Sequence, residues 1–195
     1  YYLQFLQNYL TNNWYQGGES NYSMVVAATL IANYNNKQKV KWENKLEMKL
    51  GMQTTQSDSI HNMRTSEDLI RYTGKLGLQA TKRWYYTIQL LTQTQWTRHF
   101  RTNSREVQSD FLSPLNANLS IGMDYSVNWL KNQLTGTIHL APLAYNLKYT
   151  DRLALSMQNG IPLGDHSLHD FGSQITVDLN WKINNNMNWN THLYG

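Results

Sequence analysis

Residues 39–52 alternate strictly between two kinds of side chain, and this alternation constrains the fold more than any other feature of the chain. The even positions are almost all apolar: Val40, Trp42, Asn44, Leu46, Met48, Leu50 and Met52. The odd positions are almost all charged: Lys39, Lys41, Glu43, Lys45, Glu47, Lys49 and Gly51. A period of two predicts a β-strand with two unlike faces. The strand is longer than the roughly 5–6 residues usual in soluble proteins and suits a tilted bilayer crossing of about 9–11 residues plus its ends.

The same period recurs along the chain and predicts nine strands. They cover residues 1–10, 22–34, 39–52, 70–80, 84–96, 115–125, 134–149, 171–181 and a last strand from 187. In the seventh strand the apolar positions switch from even to odd at Ala141 and Pro142. Proline cannot donate to the ladder, and one extra residue reverses the faces, so we expect a β-bulge there.

The connections between these strands alternate in length. Short connections fall at 35–38, 81–83, 127–132 and 184–186, and long ones at 11–20, 53–67, 97–113 and 150–170. Such alternation is typical of outer-membrane barrels, which have short periplasmic turns and long external loops. We therefore expect the long loops to be extracellular and the first strand to run outward.

Composition narrows the choice of membrane fold and of partners. The longest apolar run spans residues 24–32, whereas a membrane-crossing helix needs about 20 apolar residues. A membrane protein of this sequence must therefore be a closed barrel. The chain has no cysteine, which excludes disulfides and thiolate metal sites, and its net charge of +4 is too dispersed to indicate nucleic acid binding.

A belt of aromatic residues is predicted near the short turns, on the apolar face. Its members are Tyr34, Trp42, Trp84, Tyr86, Tyr125, Trp181 and Trp189. Aromatic girdles of this kind mark a membrane interface. A soluble lipocalin-type barrel would keep the alternation, but it does not account for strand length, loop alternation and belt together. Asn44 interrupts the apolar face and is expected either at headgroup depth or against another protein.

Three stretches carry a resemblance to a known family. They are WYQGG at 14–18, FLSP at 111–114 and APLAYNLKY at 141–149. Together, in this order, they resemble a Bacteroidota outer-membrane β-barrel family known only as a domain of unknown function. The resemblance implies an all-β, antiparallel, up-and-down transmembrane barrel in the bacterial outer membrane, with no activity attached. Residues 1–195 would form one barrel domain lacking its last strands, since an even number, about twelve, is expected in the complete barrel.

The polar face supplies the candidate functional residues, which would line the lumen of such a barrel. They are Lys41, Glu43, Lys45, Glu47, Lys49, Arg71, Lys75, Asp124, His139, Lys148, Asp178 and Lys182. One interpretation is a weakly cation-lined passage for small anionic or neutral solutes. The other is a network of ion pairs and amides that satisfies itself and leaves little open space, because a barrel of this size lies between filled and open kinds.

Two loop segments contain residue types found in metal or catalytic sites. His166, His169 and Asp170 could offer metal ligands, and Ser59 and His61 with a neighbouring asparagine resemble the components of a lipase site. Neither has a spacing that fixes the required geometry, so both are interpreted as solvated loop residues. No catalytic residue, metal or cofactor is predicted.

We therefore expect a non-enzymatic outer-membrane barrel of the small-solute pore or transport type. The alternative is a non-catalytic structural or interaction subunit of a larger outer-membrane protein complex. The expected partners are outer-membrane lipid and lipopolysaccharide, with other outer-membrane proteins in the second case, and no nucleic acid.

Overall fold

The chain folds into one large antiparallel β-sheet and a small separate hairpin. The structure is a computed structural model and describes residues 2–8, 21–36, 39–55, 58–184 and 187–195. The strands are β1 (Tyr2–Asn8), β2 (Asn21–Asn36), β3 (Val40–Thr55), β4 (Arg64–Gln79), β5 (Trp84–Thr94), β6 (His99–Phe100), β7 (Val107–Ser109), β8 (Leu115–Trp129), β9 (Leu134–Tyr149), β10 (Ser167–Asn184) and β11 (Met187–Tyr194). Two short 3-10 turns, Leu130–Asn132 and Leu153–Leu155, are the helical segments of the described ranges.

The large sheet is a meander in which each strand pairs with the next. Its order is β1-β2-β3-β4-β5-β8-β9-β10-β11, and every neighbouring pair is antiparallel. The predicted nine strands and their order are therefore confirmed. The hairpin of β6 and β7 lies inside the predicted long loop at 97–113 and was missed, because its strands have only two and three residues. The segment at 14–18 lies outside the described residues.

The predicted bulge is present in β9. On β8, Ile121 pairs with Leu143 and Met123 pairs with Leu140, so Gly122 lies opposite two residues of β9. The other neighbour, β10, shows the same extra residue in β9 between its own Gly172 and Gln174. Pro142 at this point has no N–H to donate, and the irregularity removes the need for one.

The register places apolar and polar side chains on opposite faces of the sheet. Tyr34 pairs with Trp42, whereas Glu43 pairs with Lys75 and Asp124 with His139. Few apolar side chains of the described residues are buried, and the buried ones are Ala27, Val127, Ala141, Ala144, Leu155 and Ile161. The larger apolar side chains lie on an exposed face instead. The sheet alone therefore does not bury the surface that a soluble domain would bury.

The sheet has two free edges within the described ranges. β1 pairs only with β2, and β11 pairs only with β10. The antiparallel all-β prediction is thus confirmed, while these strands do not themselves close into a barrel.

In the described part of the chain, no helix has the length and apolar character needed to cross a membrane.

Candidate functional site

All twelve candidate lumen residues lie on the polar face. The odd-numbered residues from 41 to 49 lie on β3 beside β4. In this pairing Glu43 is opposite Lys75, and Glu47 is opposite Arg71. The row continues across the sheet through directly paired polar positions. These pairs are Lys75–Gln89, Gln89–Ser120, Asp124–His139, Asn116–Lys148, Thr137–Asp178 and Lys182–Asn188. Directly paired residues project to the same side of a sheet, so these residues share one face, while their place in a lumen stays a prediction.

A buried polar chain occupies the middle of this face. Lys75 and Asp124 form an ion pair. The same Asp124 holds His139 Nδ1 at 2.5 Å from its Oδ1, and His139 Nε2 lies 3.3 Å from Ser120 Oγ. Ser120 is 0% exposed, His139 2% and Asp124 7%. Each of these four side chains therefore has a hydrogen-bond or ion-pair partner in the next, as buried polar groups require.

The hydrogen-bonded order Ser120–His139–Asp124 resembles that of a serine-hydrolase triad. Here, however, the aspartate and not the serine is the member that lies toward the open pocket. In a triad the serine must meet the substrate, whereas here Ser120 is fully buried and Asp124 borders the open pocket described next. Ser120 is therefore not placed to attack a solute in that pocket. The effect of the buried polar chain is to fix the second carboxylate oxygen of Asp124 toward Lys75.

A pocket opens beside this ion pair, toward the short-turn end of the sheet. Its side chains come from β3, β4, β5, β8 and β9 and surround a cavity of about 70 Å³. Its floor contains Gly77 and Thr87, which pair across β4 and β5, and Gly122 continues the row on β8. Gly77 and Thr87, small residues on two adjacent strands, leave a depression between longer polar side chains.

The remaining charges on the face divide into paired and unpaired groups. Glu47 lies 2.9 Å from Lys45 and 3.9 Å from Arg71, and Lys49 lies 3.4 Å from Glu67. Asp178 pairs with His192. Within the described residues, four of the candidates have no ion-pair partner: Lys41, Glu43, Lys148 and Lys182. The face is therefore only partly self-neutralised.

Residues 5–100 match the family model described as Protein of unknown function (DUF3078). The matched stretch runs from within β1 to the end of β6 and includes the charged strand β3. This match is consistent with the resemblance to a domain of unknown function. No curated protein and no solved structure matched the chain significantly.

The predicted aromatic belt lies on the face opposite the polar candidates, near the short turns. Trp84 and Tyr125 are directly paired with ring centroids 4.9 Å apart, and Trp181 pairs with Trp189. Tyr34, Trp42 and Tyr86 occupy the same face, each at least half exposed. Trp129 adds a member that sequence reasoning missed, 6.3 Å from Tyr125. Its parity with Tyr125 was visible, but the strand was expected to end at residue 125.

Asn44 is satisfied within the sheet. Its Oδ1 accepts a hydrogen bond of 2.8 Å from the Tyr72 hydroxyl, and its Nδ2 donates to Ala32 O at 3.0 Å. Tyr72 can lie across Gly74, where a Cβ would come within 2.7 Å of the tyrosine oxygen. The polar residue on the apolar face therefore needs no partner from another protein.

The two loop segments with candidate chemistry do not form the suggested sites. His166 Nδ1 lies 2.8 Å from Thr150 O, and His169 contacts Tyr145 and Ser167. No group of three or more metal-ligating side chains occurs in the described part of the chain. His61 pairs with Asp58 at 3.1 Å, whereas Ser59 Oγ lies 3.3 Å from Asn103 Oδ1, so serine and histidine are not partners.

The long connections at one end of the sheet are joined through Asp110. Arg98 Nε and Arg152 Nε both donate to Asp110 Oδ2, at 2.9 and 2.6 Å. Desolvation raises the pKa of the Asp110 carboxyl, but hydrogen bonds from Arg98, the Phe111 N–H and Arg152 outweigh it and hold the pKa below its usual 3.8. Asp110, which immediately precedes the FLSP segment, thus links the loop at 97–113 to the loop after β9.

Proposed function

We propose that this chain forms the wall of a transmembrane β-barrel in the bacterial outer membrane, with a polar inner face bordering a passage for small polar solutes. The observation that carries the proposal is the division of one continuous sheet into a charged face and a face of exposed large apolar side chains. Lipid can cover the second face, and water the first.

Strand length supports the membrane setting. β2, β3, β4 and β9 each have 16 residues, and β10 has 18, against roughly 5–6 in soluble sheets. The apolar face is exposed along its length, for example at Leu30 (58%), Tyr86 (58%) and Phe171 (74%). Contiguous apolar surface of this extent is not left to water by soluble monomers.

Strand direction supports a larger closed barrel. Because each of the nine strands reverses the last, β1 and β11 run the same way. Antiparallel closure then needs an odd number of further strands between the two edges, and three would give the expected total of about twelve.

The unpaired charges and the pocket support a passage instead of a solid filling. A self-satisfied interior would pair its charges, yet Lys41, Glu43, Lys148 and Lys182 keep no ion-pair partner among the described residues. Ser120 is fully buried, so a solute in the proposed passage would not reach its hydroxyl group.

A second candidate is a non-catalytic subunit of a larger outer-membrane complex. Its support is that contacts within and between the long connections hold these loops in a defined arrangement. Asp110 ties two of them together, and Leu155 and Ile161 bury their side chains within the loop after β9. A loop surface held in this way could present a fixed binding face to another protein.

The experiment is single-channel recording of the intact purified protein in planar bilayers at two salt concentrations. A passage predicts stepwise openings, and Lys148→Glu should shift the reversal potential toward cation preference. Arg105→Glu, the same charge change in the exposed β6–β7 loop, serves as the control. A folded but silent protein would contradict the passage and favour the second candidate.

A further inference from the structure

We propose that the pocket beside Lys75 and Asp124 binds zwitterionic solutes of the amino-acid or short-peptide class. The α-ammonium group of the solute would contact Glu43, and its α-carboxylate would contact Lys41. This inference rests on the proposed function, because it names the class of solute that the passage recognises.

The free carboxylate of Glu43 follows from the buried polar chain. Lys75 is the direct cross-strand neighbour of Glu43 and would be its natural cation. Lys75 instead reaches across β5 to Asp124, which His139 and Ser120 hold in place. Glu43 lines the pocket and is exposed, with no cation of the described residues at ion-pair distance. A solute ammonium group can therefore supply the missing charge.

Lys41 provides the complementary charge on the same wall. Its Nζ lies over the Tyr85 ring, 4.2 Å from the centroid. This cation–π contact holds the ammonium group but consumes none of its three N–H donors. The donors remain available to a carboxylate, with which they form strong, charge-assisted hydrogen bonds.

The spacing of the two charges suits a zwitterion. Lys41 and Glu43 are alternate residues of one extended strand, so their side chains leave the backbone on the same face, roughly 6.4–6.8 Å apart. Both side chains have several rotatable bonds beyond that point, so their charged ends can meet the two opposite charges of one small zwitterion. No ion pair joins Lys41 to Glu43 directly among the described residues.

The pocket floor leaves room for the solute between these charges. A Cβ at Gly77 would lie 3.8 Å from Lys41 Cβ and 3.9 Å from Tyr85 Cβ, so a side chain there would fill the pocket without displacing backbone. Ser126 and Thr137 also line the pocket. Their hydroxyl groups can hydrogen-bond to the peptide group of a dipeptide.

The test is current block of the open channel by glycylglycine, in the same bilayer system. Glycylglycine should produce resolved blocking events, whereas acetate, ethylamine and N-acetylglycinamide at equal concentration should not. Glu43→Gln and Lys41→Gln should each weaken the block by about tenfold, as loss of one charge-assisted contact implies. Gly77→Val should abolish it by filling the floor. Arg105→Gln, which removes a cation in the exposed β6–β7 loop, should leave it unchanged.

The outcomes separate this inference from the proposed function. Channels that open but respond equally to all four solutes would overturn the inference and leave the passage standing. If the protein is folded and silent, titration calorimetry of the detergent-folded protein with glycylglycine decides the inference by itself. Binding that is lost in Glu43→Gln supports it, and absence of binding overturns it.

Discussion

The hydroxyl of Tyr72 donates to Asn44 Oδ1 over 2.8 Å, on the face of the sheet that is otherwise apolar. The two residues lie on neighbouring strands, two residue pairs apart, and the tyrosine ring crosses Gly74 to make the contact. In the membrane setting that we propose, a hydrogen bond on this face would have no water to replace it when one partner is removed.

Tyr72→Phe should therefore destabilise the protein by about 1–3 kcal/mol, because Asn44 Oδ1 loses its donor in an apolar setting. Asn44→Leu should cost less, and the double variant should be more stable than Tyr72→Phe alone. Urea unfolding in lipid vesicles measures all three. If the changes in the free energy of unfolding of the two single variants simply add up in the double variant, the hydrogen bond contributes nothing to stability.

Gly122 faces the bulge of β9, and we expect Gly122→Ala to be among the most damaging changes in the sheet. A Cβ there would lie 2.0 Å from Leu140 O, which is backbone and cannot move aside alone. Overpacking of this kind costs about 1–3 kcal/mol or more. Gly172→Ala on β10 is the control, because nothing lies within 4 Å of its Cβ position. The comparison is made by unfolding midpoint, and equal midpoints would contradict the bulge geometry.

The two faces can be tested with adjacent residues in the middle of β5. Leu90 is on the apolar face and Gln89 on the polar one, paired with Leu119 and Ser120 respectively. Leu90→Arg should cost about 2–4 kcal/mol if the residue lies near the bilayer midplane. Gln89→Leu should leave unfolding in vesicles nearly unchanged. The opposite ranking would reverse the assignment of lipid-facing and inner faces.

Acid should loosen the loops that Asp110 connects. Its folded-state pKa is depressed, so its contribution is complete above the ordinary value of 3.8 and is lost as the pH falls through the lower, folded value. Limited pepsin digestion across the acid range should show rising cleavage between residues 150 and 166. Asp110→Asn should lower local stability by about 1 kcal/mol or less, since the arginines are partly exposed. Its cleavage should depend little on pH, and a wild-type-like profile would exclude Asp110 as the cause.

Much of the sheet could be predicted because a period of two in the side chains directly indicates a strand and its two faces. Alternation in β3 and the phase change at Pro142 identify strands, faces and the bulge without any tertiary information. The placement of Lys41 and Glu43 on one face follows from the same rule.

The site itself could not be predicted, because it depends on the register of the strands and on which neighbouring side chain each long polar side chain contacts. Ser120 meets His139 across β8 and β9, and Lys75 passes its neighbour Glu43 to reach Asp124. Sequence gives the face of each residue but not which of several possible partners it takes. The β6–β7 hairpin was missed for a different reason, since strands this short show no periodicity.

The bulge in β9 also determines which changes in chain length this strand can accept. Removing Pro142 alone would leave Leu140 opposite Met123 and Leu143 opposite Ile121, with Ala141 between them, so every remaining side chain would keep its face and its partner. Removing Thr137 instead would turn the residues between that point and the bulge, His139 among them, to the wrong side. Natural single-residue deletions in this strand should therefore concentrate at the bulge, where a shorter chain restores regular pairing.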